Sequence, residues 1–269
     1  MKVALGQIDC EPGRIEANTR KLCDHVYQAA QKGCDVVIFP ELADTGYDPT
    51  ILASVAVTWQ VDPLPALQAA SAEAGIFVVC GLSERVESGI YNSLAVISPS
   101  GKLIGRYRKA HLITSSPFFE DCHFSPGCRL LLSNIGEWRW GFTICYDIRF
   151  PELFRVLALA GAKALVNCAA FPDSRAMNWD VLTRARAIEN QTYLLAVNRV
   201  GTDGPCQFGG LSRVVAPDGT LVAEASADTE ELLIASLDLR QIDIVRNEIP
   251  VFDARRPDIY GDLAARGNA

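Results

Sequence analysis

Short apolar runs typical of β-strands alternate along this chain with segments of helical periodicity. Residues 3–8 form the first run, apolar residues at helical spacing follow between residues 15 and 29, and a second run covers residues 35–39. The second run is apolar at consecutive positions, which indicates a strand buried on both faces of an α/β sheet. The same alternation returns between residues 142 and 198. It predicts β-α units, with helices covering the outside of the sheets.

Two hairpins interrupt this alternation. The first joins strands 92–98 and 102–107, and the second joins strands 211–216 and 220–223 across a Pro-Asp-Gly turn. No linker, internal repeat or low-complexity segment is visible, and 49% hydrophobic content over 269 residues is enough to fill a substantial core. We therefore expect one domain over residues 1–269, with about 250–269 as an extended C-terminal tail.

Charge and cysteine usage exclude several classes of protein. A net charge of -7, a pI near 5.1 and the lack of a basic run disfavour nucleic acid or an anionic membrane as main partner. Neither a secretory signal nor a segment long enough to span a bilayer is visible. The nine cysteines form no close CxxC pairs and are typical of reduced thiols in a cytoplasmic protein. Cys122, His123 and Cys128 lack the paired spacing of a zinc site, so we expect neither a metal nor a cofactor.

The strongest functional signal lies in residues 141–153. An apolar strand should end where Cys145 begins a charged turn, and Pro151 then starts a helix. A thiol at such a turn can reach a pocket, and nearby charges can lower its pKa and make it a nucleophile. Most cysteines are small buried hydrophobic residues, so a catalytic interpretation needs a base and an oxyanion stabiliser elsewhere in the chain.

Two charged residues follow predicted strands directly. Glu41 comes after strand 35–39, and Lys109 comes just after strand 102–107. The carboxyl ends of strands hold the ligands of open α/β sheets, so three strands of one sheet can bring a carboxylate, an ammonium and a thiol to the same edge. Taken singly, a turn-capping Glu41 and a solvated Lys109 are the simpler interpretations. Only their combination with Cys145 favours catalysis.

In order and character, three segments resemble those of the nitrilase superfamily of carbon-nitrogen hydrolases: 39–47, 107–112 and 145–153. Further similarities are Glu120 before residues 125–127, residues 186–190 with Asn198 beyond them, and residues 255–260. The resemblance covers nearly the whole chain, and several motifs in one order are far more specific than any single motif. It implies a four-layer α-β-β-α sandwich and a homodimer or larger homo-oligomer.

The resemblance also implies a Glu-Lys-Cys triad, here Glu41, Lys109 and Cys145, commonly with a fourth residue, here Glu120. Glu41 would take the thiol proton, and the thiolate would attack a carboxamide carbon. Lys109 and the backbone N–H of Tyr146 would stabilise the oxyanion. Ammonia would leave, and water activated by the same carboxylate would release the acid from a thioester. Glu120 would help to hold Lys109 charged and position substrate or water.

The residues around the cysteine indicate which branch of the family the chain resembles. True nitrilases usually have Trp-Glu after the cysteine, whereas this chain has Tyr146 and Asp147. The pattern is similar to ω-amidases and deaminated-glutathione amidases, which cleave the terminal amide of small carboxylate-bearing acids. Arg149 is then a candidate bidentate partner for a substrate carboxylate, or it pairs with Asp147 or Glu152 to hold the turn. The other expected pocket walls are Tyr47, Tyr146, Ala170 and Phe171.

Several alternatives remain open at this point. His111 permits a Cys-His dyad as in papain-like enzymes, although the surroundings of Cys145 are not papain-like and the lysine acts in the resembling family. The leading hypothesis is an amidase that converts a small linear carboxamide to the acid and ammonia. N-carbamoyl amide hydrolysis on the same triad is the alternative within the enzyme class. A non-catalytic binding or redox-sensing protein, with Cys145 oxidised, is the alternative outside it.

Overall fold

The computed structural model describes residues 1–48 and 50–260, which form fourteen strands and seven helices. The strands are β1 Lys2–Gln7, β2 Val36–Ile38, β3 Phe77–Val86, β4 Gly89–Ile97, β5 Leu103–Arg108, β6 Leu132–Ile135, β7 Trp138–Ile144, β8 Ala164–Ala169, β9 Tyr193–Asn198, β10 Thr202–Asp203, β11 Cys206–Gln207, β12 Arg213–Val215, β13 Leu221–Glu224 and β14 Glu231–Ser236. The helices are α1 Ile15–Gln31, α2 Leu52–Val55, α3 Leu64–Ala74, α4 Pro151–Leu159, α5 Ala176–Asn190, α6 Leu239–Glu248 and α7 Pro257–Tyr260.

Twelve of the strands form two six-stranded mixed sheets. The first has the order β14-β1-β2-β3-β4-β5 and the second the order β13-β12-β9-β8-β7-β6. Three neighbouring strands at the centre of each are parallel, β1-β2-β3 in the first and β7-β8-β9 in the second, and the flanking pairs are antiparallel. Parallel strands require crossover helices, so this arrangement explains the β-α alternation of the sequence.

Alternating side chains of the strands separate the layers. Leu5 and Ile38 point into a core shared by the two sheets, whereas Val37 and Phe39 point into a second core beneath α1 and α3. Helices α4 and α5 pack on the outer face of the second sheet. The order of layers is therefore α-β-β-α in a single domain, as expected. None of the helices in residues 1–48 and 50–260 combines the length and the apolarity that crossing a bilayer requires.

Several boundaries differ from the sequence-based expectations. Strand β3 extends to Val86 although its second half is polar, because pairing with β4 and the ion pairs of Glu84 with Arg106 and Arg108 satisfy its polar groups. The long loop after β5 contains a short 3₁₀ helix, Glu120–Cys122. The expected extended tail contains helix α7, which begins at a proline suited to a first helical turn. Residues 261–269 of that tail lie outside the described residues.

Candidate active site

Cys145 lies at a sharp change of backbone direction. Strand β7 ends at Ile144, and Cys145 has a φ of 42°, after which the chain enters a 3₁₀ turn that ends at Arg149. A non-glycine residue in the left-handed region costs on the order of 1–3 kcal/mol and is retained where the surroundings enforce it. The sequence-based prediction of a thiol at the exit of an apolar strand agrees with this geometry.

The same backbone feature recurs beside the other candidate residues. Among the described residues, five that are not glycine have a positive φ, and three of them are Leu42, Phe119 and Cys145. Leu42 directly follows Glu41, and Phe119 directly precedes Glu120. Strained backbone clusters at functional sites because it aims side chains in directions that regular elements do not allow. The strain therefore singles out the same residues as the sequence motifs.

Asp147 holds the turn that carries Cys145. Its fully buried carboxylate accepts hydrogen bonds from the Tyr107 hydroxyl at 2.8 Å, the Ile144 N–H at 2.9 Å and His111 Nδ1 at 2.7 Å. These donors lie at the end of β7 and at the end of β5 and just beyond it. The carboxylate thus ties the cysteine turn to the segment that carries the candidate lysine.

His111 is placed to support this turn. One ring nitrogen contacts Asp147, and the ring stacks on Phe150 with centroids 3.6 Å apart. Within the described part of the chain, neither ring nitrogen makes a hydrogen bond to Cys145. The geometry therefore opposes a Cys-His dyad and agrees with a structural role for His111.

Glu41 follows β2 in a tight turn packed against β3. A Cβ on Gly81 would lie 2.4 Å from the Pro40 carbonyl oxygen, so only glycine permits this close approach. Glu41 Oε1 accepts from Lys109 Nζ at 2.8 Å and from Asn92 Nδ2 at 2.6 Å, and its Oε2 accepts from the Ala170 N–H at 2.9 Å. The sequence analysis missed Asn92 as a site residue, because its neighbour Ser93 is also polar and no local pattern reveals the contact with Glu41.

Lys109 joins two buried carboxylates. Its ammonium donates to Glu41 Oε1 and, at 2.6 Å, to Glu120 Oε1, and all three side chains are fully buried. Glu120 also accepts from the Tyr47 hydroxyl at 2.5 Å and from the Ile113 N–H at 2.8 Å. Glu120 is thus not the exposed loop carboxylate that its sequence position alone allows. The structure brings Glu41, Lys109 and Glu120 together next to Cys145, and the charge of Glu41 acts on the thiol.

Burial and charge set the protonation of this cluster. Burial raises the pKa of Glu41, and Glu120 adds to the rise although Lys109 opposes it. Burial favours a neutral Lys109, but Glu120 and Glu41 together raise its pKa above the usual value. Burial and the Glu41 charge raise the pKa of Cys145 well above its usual value. The two carboxylates and the ammonium already leave one net negative charge, and a thiolate would add a second.

The expectation that nearby charges lower the thiol pKa is therefore wrong. The sequence shows charged neighbours of Cys145, but it does not show that the thiol is only 4% exposed or that Glu41 lies beside it. A neutral thiol needs a base at the moment of attack. Glu41 is the candidate for that base, because it lies beside the thiol and its pKa is raised.

A cavity of about 290 Å³ leads to Cys145. This volume lies at the lower end of the range for small-molecule sites. All five predicted wall residues line it: Tyr47, Tyr146, Arg149, Ala170 and Phe171. Arg175 also lines the cavity and was missed by the sequence analysis, because nothing in the sequence shows that the 3₁₀ turn before α5 faces the cysteine.

Arg149 faces the cavity with its charge unpaired. Within residues 1–48 and 50–260, no carboxylate lies within 4.0 Å of its guanidinium, and its polar contact is a long one of 3.4 Å to Asn178. The alternative in which Arg149 pairs with Asp147 or Glu152 is therefore wrong. Asp147 is already occupied by its own donors, and Glu152 is exposed at the start of α4. With Arg175, Arg149 makes the cavity mouth positive, which favours an anionic substrate.

The described residues contain no group of three or more His, Cys, Asp and Glu side chains arranged to hold a metal ion. Cys122 and Cys128 are both exposed, with His123 between them in sequence.

Comparisons with known proteins identify the family of this chain. A sequence model described as carbon-nitrogen hydrolase matches residues 2–247. The chain is 33% identical over 255 residues to the 2-oxoglutaramate amidase of Bacillus subtilis, covering 94% of this chain and 97% of that protein. It is 32% identical over 267 residues to an omega-amidase of Xenopus laevis, covering 96% of each. A solved mutant of the amidase from Nesterenkonia sp. AN1 superposes with a TM-score of 0.81 at 27% identity, covering 94% of this chain and 99% of that one. It shows the result of Michael addition of acrylamide at the active-site cysteine.

Proposed function

This chain belongs to the carbon-nitrogen hydrolase family and cleaves amide carbon-nitrogen bonds other than peptide bonds, and we propose that Cys145 is the nucleophile of that reaction. The proposal rests on one observation above all, the fully buried Glu41, Lys109 and Glu120 cluster beside a thiol that lines the cavity. Two carboxylates buried with one ammonium are costly to maintain and are expected where proton transfer needs them.

Acylation follows from the charge balance of the cluster. As the sulfur of Cys145 bonds to the carbonyl carbon, its proton moves to Glu41, and negative charge appears on the substrate oxygen. The net charge of the site thereby stays at one negative unit. Lys109 and the backbone N–H of Tyr146 donate to the oxyanion, and each such donor contributes about 3–4 kcal/mol to the transition state.

Glu41 also serves in the steps that follow, first as an acid that completes acylation and then as the base of deacylation. Glu41 returns its proton to the nitrogen of the tetrahedral intermediate, the carbon-nitrogen bond breaks, and ammonia leaves a thioester on Cys145. Water then enters, Glu41 accepts one of its protons, and the thioester carbon receives the hydroxyl. Collapse of the second intermediate releases the carboxylic acid, and the proton returns from Glu41 to the thiol. Glu120 keeps Lys109 protonated throughout both steps.

The proposed substrate is a small linear acid that carries a terminal amide. Relatives named for 2-oxoglutaramate and ω-amides support this class. The small cavity and the unpaired guanidinium of Arg149 at its wall support it independently. The substrate carboxylate would bind Arg149 while the amide carbon lies at the thiol.

Arg149→Gln tests this substrate class. On a panel of succinamate, glutaramate, butyramide and N-carbamoylglycine, we expect the wild-type protein to release ammonia fastest from the first two. The variant should raise KM for these two roughly 10–100-fold, since a charge-assisted hydrogen-bonding pair contributes about 1.5–3 kcal/mol. Its turnover of butyramide should stay within about twofold. Arg20→Gln, which alters an exposed arginine on α1, is the matched control.

Two outcomes of this panel would overturn the assignment. Fastest release from N-carbamoylglycine would favour the carbamoyl hydrolase alternative. An equal effect of Arg149→Gln on charged and neutral amides would show that Arg149 holds the turn or the cavity wall instead of a carboxylate.

The pH dependence of kcat/KM tests whether Glu41 is the base. Glu41 must be deprotonated to accept the thiol proton, so acidification protonates it and lowers kcat/KM. Because its pKa is raised, the acid limb should be half-complete above pH 4.5, the ordinary value for a glutamate. The raised pKa values of Lys109 and Cys145 place their own titrations at the alkaline end. Full activity persisting below pH 4.5 would contradict the assignment of Glu41 as the base.

The redox-sensing alternative fits the site poorly. Sensor cysteines have a low pKa and an accessible thiolate. Cys145 has a raised pKa and is a buried residue of the cavity wall. The thiol is therefore protected from oxidation until a substrate and Glu41 activate it.

A homodimer remains part of the proposal. Helix α5 exposes an apolar stripe in which Met177 is 79%, Val181 57% and Ile188 49% accessible. Their spacing of four and seven residues places them on one face, and such stripes mark interaction surfaces. Light scattering should give twice the chain mass of 29.2 kDa, and Val181→Asp should shift the protein toward monomer. A monomeric wild-type protein at micromolar concentration would refute this.

The cytoplasm remains the proposed location. All nine cysteines are free. Free thiols in this number are typical of a reducing compartment. A predominantly oxidised form in protein isolated from cells would contradict the proposal.

A further inference from the structure

A buried ion pair lies beside Tyr47 of the cavity wall and takes no direct part in the proposed chemistry. Arg199 is fully buried and contacts both carboxylate oxygens of Asp203, at 3.0 Å to Oδ1 and more closely to Oδ2. Arg199 also donates to the Cys10 carbonyl and to Asp9, whose side chain is 44% exposed. Replacing a buried pair by apolar residues of similar volume is often neutral or stabilising, so stability alone does not account for it.

Asp203 contacts Tyr47 directly, and Arg199 is linked to it through Phe208. Asp203 Oδ2 accepts a hydrogen bond from the Tyr47 N–H at 2.6 Å. The Arg199 guanidinium lies 4.4 Å from the centroid of Phe208, whose ring meets the Tyr47 ring edge-on at 6.2 Å. Both the backbone and the ring of Tyr47 are therefore positioned from one side by this pair.

Tyr47 in turn reaches the catalytic cluster. Its hydroxyl donates to Glu120 Oε1, the same oxygen that accepts from Lys109. The ring is held on another side by Phe118, edge-on with centroids 5.6 Å apart. A shift of the Tyr47 backbone would move its hydroxyl and remove one of the two donors that fix this oxygen.

We propose that Asp203 and Arg199 are positioning residues that act on Lys109 through Tyr47 and Glu120. The inference rests on the proposed function, because it assigns these residues to the same amide hydrolysis. Asp203 fixes the amide of Tyr47, Arg199 fixes Asp203 and Phe208, and the Tyr47 hydroxyl then holds Glu120 against Lys109. The pair thus governs the rate of acylation and not the binding of the substrate carboxylate.

A double-mutant cycle tests this path. Asp203→Asn should lower kcat about tenfold with KM for succinamate within about twofold, and Tyr47→Phe should lower kcat by a similar factor. In the Tyr47→Phe background, Asp203→Asn should change kcat by less than about twofold, since the hydroxyl through which it acts is gone. Equal tenfold losses in both backgrounds would overturn the inference.

Asp9→Asn is the matched control, because Asp9 also pairs with Arg199 at 2.9 Å but is not in contact with Tyr47. We expect kcat within about twofold of wild type. A loss equal to that of Asp203→Asn would assign the effect to the charge balance of Arg199 and refute the path through Tyr47. If Asp203→Asn does not fold, Phe208→Leu replaces it in the cycle, with a loss expected in the wild-type background alone.

The proteins of the cycle are also compared without turnover. The quantity measured is the rate at which iodoacetamide alkylates Cys145, detected by the increase in mass of the peptide that contains it. The thiol must pass its proton to Glu41, which shares Lys109 with Glu120, so the same non-additive pattern is expected. Absence of ammonia release by the wild-type protein would count against the proposed function. Additive alkylation rates would count against the positioning role alone.

Discussion

Replacing Cys145 with alanine should lower kcat for ammonia release by at least about four orders of magnitude. Loss of a nucleophile removes the covalent path and leaves only binding and oxyanion stabilisation, and such losses reach about 10⁶-fold in a serine protease. The variant should fold normally, because a methyl group fits where the thiol lies and the smaller residue leaves the Asp147 hydrogen bonds intact. The measurement is initial-rate ammonia release from succinamate, with circular dichroism to check the fold.

Two controls accompany this variant. Cys23→Ala removes a partly buried thiol on α1 and should leave kcat unchanged. His111→Ala removes the ring that supports Asp147 and should keep turnover within about tenfold, because the Tyr107 hydroxyl and the Ile144 N–H still bind Asp147. Equal losses in Cys145→Ala and His111→Ala would favour the Cys-His dyad and contradict the proposed mechanism.

Lys109→Met should damage both activity and stability. Loss of its contribution to the oxyanion predicts a fall in kcat of about 10²–10³-fold or more. The change also leaves Glu41 and Glu120, both fully buried, without the ammonium that lies between them. Removing one partner of a buried ion pair destabilises by about 3–5 kcal/mol, which urea unfolding will measure.

A second substitution separates the two effects. Adding Glu120→Gln to Lys109→Met removes one of the uncompensated carboxylates and should recover part of the lost free energy of unfolding. It should recover none of the activity, since the oxyanion donor is still absent. If Lys109→Met alone unfolded at the same urea concentration as the wild type, the stabilising role assigned to the buried ion pairs of Lys109 would be wrong.

The sequence predicted those features that depend on local pattern. Consecutive apolar residues at 36–39 identified a strand buried on both faces, and Glu41, Lys109 and Cys145 each lie just beyond a strand, as predicted. The expectation that one sheet carries all three was wrong, because Glu41 and Lys109 follow β2 and β5 of the first sheet whereas Cys145 follows β7 of the second. The resemblance to a known family supplied the layer order, which strand pattern alone did not define. The strand pattern and the family motifs can both be recognised from the order of residues along the chain, without knowledge of tertiary contacts.

Features that depend on distant contacts were not predictable. The raised pKa of Cys145 comes from burial and from Glu41, more than one hundred residues away in the sequence. The partners of Asp147 and the lack of a carboxylate beside Arg149 likewise depend on how loops pack. The contact of Asp203 with Tyr47 joins residues 156 positions apart, and no local pattern reveals it.

Direct observation of an acyl group on Cys145 tests the central claim most sharply. Wild-type protein is mixed with succinamate, quenched in acid within one turnover, digested and analysed by mass spectrometry. The account predicts that the peptide containing Cys145 carries the succinyl group as a thioester, that hydroxylamine removes it, and that Cys145→Ala shows none. Ammonia release by the wild-type protein with no adduct at Cys145, or with the acyl group on another residue, would contradict it.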